Sequence, residues 1–212
     1  DTMSVIDNLA FTGLSGITFS VAKDSYAKNW VAAHGFAYTE REPAVVASGV
    51  CGENLTWSLT SDGVLTLDGT GPMATYYGEA NIPWHANRAL ITTVNVGAGV
   101  TKLTTNAFCG CTNLETVNFA ENSQLQMIGG SVFKSCTSLK SITLPEGLTT
   151  ISGNAFKYCR GLRYVSLPDS TCYIDELAFT GLSGITFSVA KDSYAKNWVA
   201  AHGFAYVERE NG

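Results

Sequence analysis

The residues of this chain best able to do chemistry are six cysteines and three histidines, and their spacing decides what each could do. Cys109-Gly-Cys111 sets two thiols close together, as part of a tetrahedral metal site would. Cys111, however, falls in register with Cys136 and Cys159, three residues after Phe108, Phe133 and Phe156 respectively. That puts the three in one inward row and turns Cys109 elsewhere. Such a row reads as small buried hydrophobes, with disulfides and a metal as the alternatives. Neighbouring coils would set successive cysteine Cα atoms about 5 Å apart, within bridging distance. Cys51, Cys109 and Cys172 lie off the row, where exposure is open to them.

His34 and His202 are one position of a duplicated segment, so they read as parts of a copied structural element. His85 follows Trp84 and has no nucleophile or carboxylate partner legible nearby. Gly181-Leu-Ser183-Gly184 falls one residue short of the hydrolase elbow G-x-S-x-G. Asp62 and Asp68 flank a turn. With no phosphate loop, H-E-x-x-H or EF-hand spacing, the expectation is a protein that is not an enzyme and carries no cofactor or metal. A net charge of −5 with scattered Lys and Arg argues against nucleic acid and anionic membrane surfaces. No apolar run approaches the roughly 20 residues of a membrane helix, so membrane insertion is not expected.

The elements that would hold these residues repeat. Phe108, Phe133, Phe156 and Phe179 lie 25, 23 and 23 residues apart, and Leu114, Leu139, Leu162 and Ile185 follow each by six. Alternating pairs come next: Val117 with Phe119, Ile142 with Leu144, Val165 with Leu167. Ile91, Val94, Val96, Val100 and Leu103 repeat the spacing of Leu139, Ile142, Leu144, Leu148 and Ile151 one coil earlier than the first Phe. The two extra residues of the second coil fall in Ala120–Gln124 and predict a loop. An alternating run is a half-buried strand. The Ala-Phe-x-x-Cys-x-x-Leu stretch has helical spacing and would form the facing wall. One coil cannot bury both faces, so coils must stack, Phe on Phe and Cys on Cys.

Leu139-Lys-Ser-Ile-Thr-Leu-Pro-Glu-Gly-Leu-Thr-Thr-Ile-Ser-Gly-Asn-Ala-Phe-Lys-Tyr-Cys159 resembles the unit of the BspA-type leucine-rich repeats of bacterial surface proteins. The resemblance covers about 91–185 and implies a β-rich α/β leucine-rich-repeat solenoid of parallel strands and short helical turns, on an extracellular, secreted or surface-attached protein. It also implies adhesion to host or microbial proteins or glycans.

A longer repeat lies over this one. Ile6–Glu42 recurs as Ile174–Glu210, 168 residues later, differing only at Asn8/Glu176 and Thr39/Val207. The second copy looks like a terminating coil: a last strand through Ile185, Phe187 and Val189, then a helix from about Ser193 to His202, with Asp192 or Ser193 as its N-cap and Gly203 as its stop. Tyr194, Trp198 and His202 share one face of that helix. Since Asp1 aligns with Asp169, the chain reads as part of a longer tandem protein. The expected domains are 1–43, the C-terminal cap of a preceding unit; 44–90, a β-hairpin N-terminal cap; 91–185, the coils; and 186–212, a C-terminal cap of strand and helix. In 44–90, Trp57–Leu59 and Val64–Leu67 read as strands joined across Ser61-Asp62-Gly63, with Pro83-Trp84 adding apolar bulk over the first coil.

The outward neighbours of the alternating pairs are Thr93, Asn95, Thr116, Asn118, Ser141, Thr143, Tyr164 and Ser166. They form a polar, uncharged strip with one aromatic, the expected seat of a protein or glycan ligand. Such residues also suit exposed strands for no further reason. A structural stalk, or a module that targets a secreted enzyme, would be built alike, with neighbouring units of the same protein as partners.

Overall fold

The computed structural model describes residues 6, 11, 13, 15–23 and 25–209, with the backbone alone at 22. The alignment of Asp1 with Asp169 lies outside these residues. The chain divides into two compact units, 1–45 with 60–62, and 46–59 with 63–212.

The first unit is built from strand β1 (Thr18–Ala22), helix α1 (Tyr26–Ala33) and strand β2 (Ala37–Arg41). β1 and β2 pair in parallel, Thr18 opposite Ala37, with the helix as crossover. Ser25 caps the helix, its hydroxyl accepting from the Lys28 N–H at 3.1 Å. Val21, Trp30 and Val31 form its small core, with Ile6, Phe11, Phe19, Ala27 and Phe36 half-covered around it.

The second unit opens with β3 (Val45–Gly52), β4 (Asn54–Thr60) and β5 (Val64–Pro72), of which Val45 and Thr60 group with the first unit. β4 and β5 form the expected hairpin, with Leu59 opposite Leu65 and Trp57 opposite Leu67. β3 adds an edge strand beside β4. β5 then serves two rows of strands. Its first half, Val64–Leu67, pairs with β6 (Thr93–Val96), whereas Gly71 and Pro72 pair with β7 (Val100–Leu103). Gly69 at φ +109° lies between the two halves, where a Cβ would sit 2.0 Å from the Asn54 carbonyl oxygen, so only glycine fits.

Each coil continues both rows. The first runs through β6 and β8 (Thr116–Phe119), resumes at β10 (Ser141–Thr143) and passes through β12 (Tyr164–Ser166) to β14 (Thr186–Ala190). The second runs from β7 through β9 (Met127–Ile128), β11 (Thr150–Ile151) and β13 (Tyr173–Ile174). All of these pairings are parallel, and neither row closes on itself. After β14 come α2 (Tyr194–Ala201) and β15 (Ala205–Arg209), which pairs in parallel with β14.

The third side of each coil departs from expectation. The Ala-Phe-x-x-Cys stretches are tight turns rather than helices: Cys111 donates to the Phe108 carbonyl and Cys136 to that of Phe133, three residues back. Intervening amides reach the next coil instead, Phe108 to Val132, Phe133 to Ala155 and Phe156 to Ala178. Two rows of left-handed residues make this possible: Asn106, Ser131 and Asn154, then Gly110, Ser135, Tyr158 and Gly181. Spacing of three and four residues fits such turns as well as it fits a helix.

The core follows from this stacking. Trp84, Phe108, Phe133, Phe156 and Phe179 form a column with centroids 5.5, 5.6, 5.3 and 5.0 Å apart and nearly parallel planes. All five are at most 2% exposed. The separations sit close to the roughly 4.8 Å between paired strands, so the ladder itself brings the rings into offset stacking, worth about 0.5–1.5 kcal/mol per pair beyond burial. Trp84 takes the Phe position one coil early, and its indole N–H donates to the Ala107 carbonyl at 2.7 Å.

Candidate functional site

The inward cysteines are packing groups that also bond. Cys136 donates its thiol to the Phe108 carbonyl at 3.2 Å and Cys159 to that of Phe133 at 2.8 Å, tying each coil to the one before. Burial pushes the Cys111 thiol up to about 12 and raises Cys136 as well. Neither supplies the thiolate that nucleophilic or metal chemistry needs. Of the three off-row cysteines, only Cys172 is exposed. Cys51, on β3, is buried in the core, and burial raises its thiol to about 11. Cys109 is raised to about 12 by burial and by its bond to Glu79 at 3.2 Å. That carboxylate comes from a short turn thirty residues away, out of reach of a local reading. His85 accepts at its Nε2 from the Arg88 guanidinium at 2.9 Å within its own turn. Among the described residues no three His, Cys, Asp or Glu side chains converge as metal ligands would.

The outward strip is laid out by the first row of strands. Thr93 lies opposite Thr116 and Asn95 opposite Asn118; farther along, Ser141 lies opposite Tyr164 and Thr143 opposite Ser166. Thr116, Asn118, Ser141, Thr143 and Tyr164 are exposed, while Thr93, Asn95 and Ser166 are half-covered. Asn118 donates its amide to the Asn95 side chain at 2.9 Å, a cross-strand bond that orients both. At the far end the row continues into Ser188, which is buried beneath Arg209. The guanidinium also donates to the Leu167 carbonyl and pairs with Asp169 at 2.6 Å, which ends the strip there.

The strip is not continuous. Among the described residues β8 pairs only with β6, and the next ladder of this row begins at β10. The second row runs unbroken past the same point, from β9 to β11. The gap coincides with the two extra residues of Ala120–Gln124, where the chain turns through Asn122 in a left-handed conformation. A depression of about 510 Å³ opens there at the C-terminal ends of the strands, lined by Asn118, Phe119, Asn122, Ser123, Thr143 and Glu146 among others. Two of the eight strip residues, Asn118 and Thr143, thus form its walls, and Tyr164 stands one strand beyond Ser141. Phe119, Asn122, Ser123 and Glu146 were missed from sequence, although the insertion that places them was visible.

A second depression, about 440 Å³, lies where the second row meets α2, between Tyr173, Asp175, Leu177, Tyr194 and the Trp198–His202 stack. His202 is held there by its Nδ1 contact to the Trp198 carbonyl at 2.8 Å, with the rings 3.9 Å apart. That role is structural, as its duplication suggested.

Residues 85–195 match the family described as BspA type Leucine rich repeat region, in six copies. No curated protein matches the sequence significantly. Among solved structures the chain is similar to a leucine-rich repeat protein from Eubacterium ventriosum, with 28% identity and a TM-score of 0.47 over 60% of this chain and 40% of that one. It is also similar to the T. pallidum Leucine Rich Repeat protein (21%, TM-score 0.47, 64% and 69%). A leucine rich cell surface protein from Faecalibacterium prausnitzii gives 24%, a TM-score of 0.39, and 69% and 49%. The chain thus spans well under half the length of the first of these. With the family's repeat covering more than half of its residues, and its Phe and Cys positions filling the observed stack, the chain belongs to the BspA-type leucine-rich-repeat proteins, a family of bacterial surface-protein type.

Proposed function

We propose that this chain is an extracellular interaction module of a bacterial surface, binding a protein or glycan on the outward strip with the 510 Å³ depression as its centre. The break in the first strand row is the observation that carries this reading. A continuous ladder offers a flat face, whereas the gap leaves a concavity with amide, hydroxyl and carboxylate groups from Asn118, Asn122, Ser123, Thr143 and Glu146 around the partly covered Phe119 ring. Converging polar groups beside apolar surface are what orient a ligand in a pocket. Tyr164, 39% exposed, adds an aromatic anchor along the same face. The family's surface-protein character supports the location. Among the described residues no helix is long and apolar enough to cross a membrane.

The test is binding of the purified chain to an array of matrix proteins, mucins and glycans, beside the Asn118→Ala/Thr143→Ala variant. A specific hit lost in the variant supports the reading. A hit kept by the variant moves the site elsewhere. The 168-residue duplication favours a second reading, a stalk of tandem units holding another domain away from the surface. A blank array, repeated with a two-unit chain to allow for avidity, supports that one.

A further inference from the structure

The duplicated segment gives the same residues twice, and the two copies differ in what lies on them. In the second copy β14 pairs on one side with β15 and on the other with β12, Phe187 opposite Val165 and Thr186 donating to the Arg163 carbonyl. Phe156 lies flat on Phe179 at 5.0 Å. Under that coil Ile174, Phe179, Phe187, Val189, Ala195 and Val199 are at most 3% exposed. In the first copy β1 pairs with β2 alone among the described residues. The counterparts Ile6, Phe11, Phe19 and Ala27 are only half-covered, and they line a groove of about 220 Å³ with Val21 and Val31.

The groove is already shaped. Phe11 meets Phe19 edge-on at 5.0 Å, as Phe179 meets Phe187 at 5.0 Å. Phe11 to Trp30 and Phe19 to Phe36 repeat their counterparts within 0.1 Å, at 5.8 against 5.9 Å and 5.3 against 5.2 Å. Among the described residues, the first copy has no partner in the place of Phe156 and of β12. Arg41 lies in the groove wall, where its twin Arg209 donates to the carbonyl of Leu167, the residue that follows β12.

We infer that the groove of the first unit is the seat of a leucine-rich coil, joined ahead of residue 1 in the same polypeptide and carrying a Phe and a Val-x-Leu strand like Phe156 and Val165-Ser-Leu167. Its ring stacks on Phe11, its strand pairs with β1 as β12 pairs with β14, and its last strand carbonyl accepts from Arg41. A second copy of this chain is a poorer occupant, because its own coil of that type is already covered by β14 and α2. The inference is independent of ligand binding on the outward strip.

The experiment compares amide exchange by NMR in the full chain and in the full chain extended by a copy of residues 91–168 fused ahead of Asp1. In the unextended chain Thr18 should exchange at least about 100-fold faster than its counterpart Thr186, since local opening sets protection. The extension should slow Thr18 by about the same factor. The same extension carrying Val165→Asp in the added copy should fail to do so. Equal protection of Thr18 and Thr186 without any extension would overturn the inference, because the groove would already be filled. So would an extension that leaves Thr18 unchanged, or one that protects it despite the Asp. Protection that rises with the concentration of the unextended chain would name a second copy as occupant and overturn it too.

Discussion

Residues 18–41 and 186–209 differ at one position, Thr39 against Val207, and they build the same object twice. Both helices start from a serine cap, at 3.1 and 3.0 Å, and end on a histidine stacked on the tryptophan four residues earlier. Both carry the same ion pair, Lys28–Glu40 at 3.0 Å and Lys196–Glu208 at 2.9 Å. Yet the aromatic face of one copy is buried beneath a coil and that of the other is half-covered. Local sequence therefore specifies the strand–helix–strand geometry, and the neighbouring coil decides how much each side chain contributes to stability.

The largest expected effect separates the copies. Phe187→Ala should destabilise the second unit by about 3–5 kcal/mol, the usual cost of a cavity left by a fully buried ring. Phe19→Ala, at the half-covered twin, should cost the first unit about 1–2 kcal/mol, since less area leaves water there. Urea titrations followed through the Trp198 and Trp30 indole resonances report each unit separately, and equal losses would break the comparison. A smaller effect should be shared. Ser193→Ala and Ser25→Ala should each cost about 1 kcal/mol by leaving the same helix amide unpaired. A clear difference between them would mean that the coil stabilises the cap as well as the face. Smallest are the ion pairs: both lie in similarly accessible surroundings, and removing either glutamate should leave the midpoint unchanged within measurement.

Much of the fold was legible because it is written in large apolar residues at fixed intervals. The Phe, Cys and Leu positions gave the coils, Ser61-Asp62-Gly63 gave the hairpin, and Ser193 with Gly203 bounded the last helix. Three features were not legible. β15 is almost wholly exposed and has no apolar alternation to reveal it. The tight turns depend on left-handed Ser135 and Tyr158, residue types that do not advertise that conformation. The burial of Cys109 depends on Glu79, a contact made only once the chain has folded. For the site, the strip followed from strand alternation, and Asn118 and Thr143 were named that way. The depression did not follow, because it arises from a missing ladder. The insertion predicted a loop but not the loss of pairing between β8 and β10.

That missing ladder allows the account to be tested at its centre. Deleting Glu121 and Asn122 brings the second coil to the 23-residue period of the coils after it. The account predicts that β8 and β10 then pair, that the depression closes, and that the ligand found on the array no longer binds. Circular dichroism and the melting temperature should show the coils still folded. Undiminished binding by a folded deletion variant with a continuous first row would contradict it, and would place recognition away from the gap.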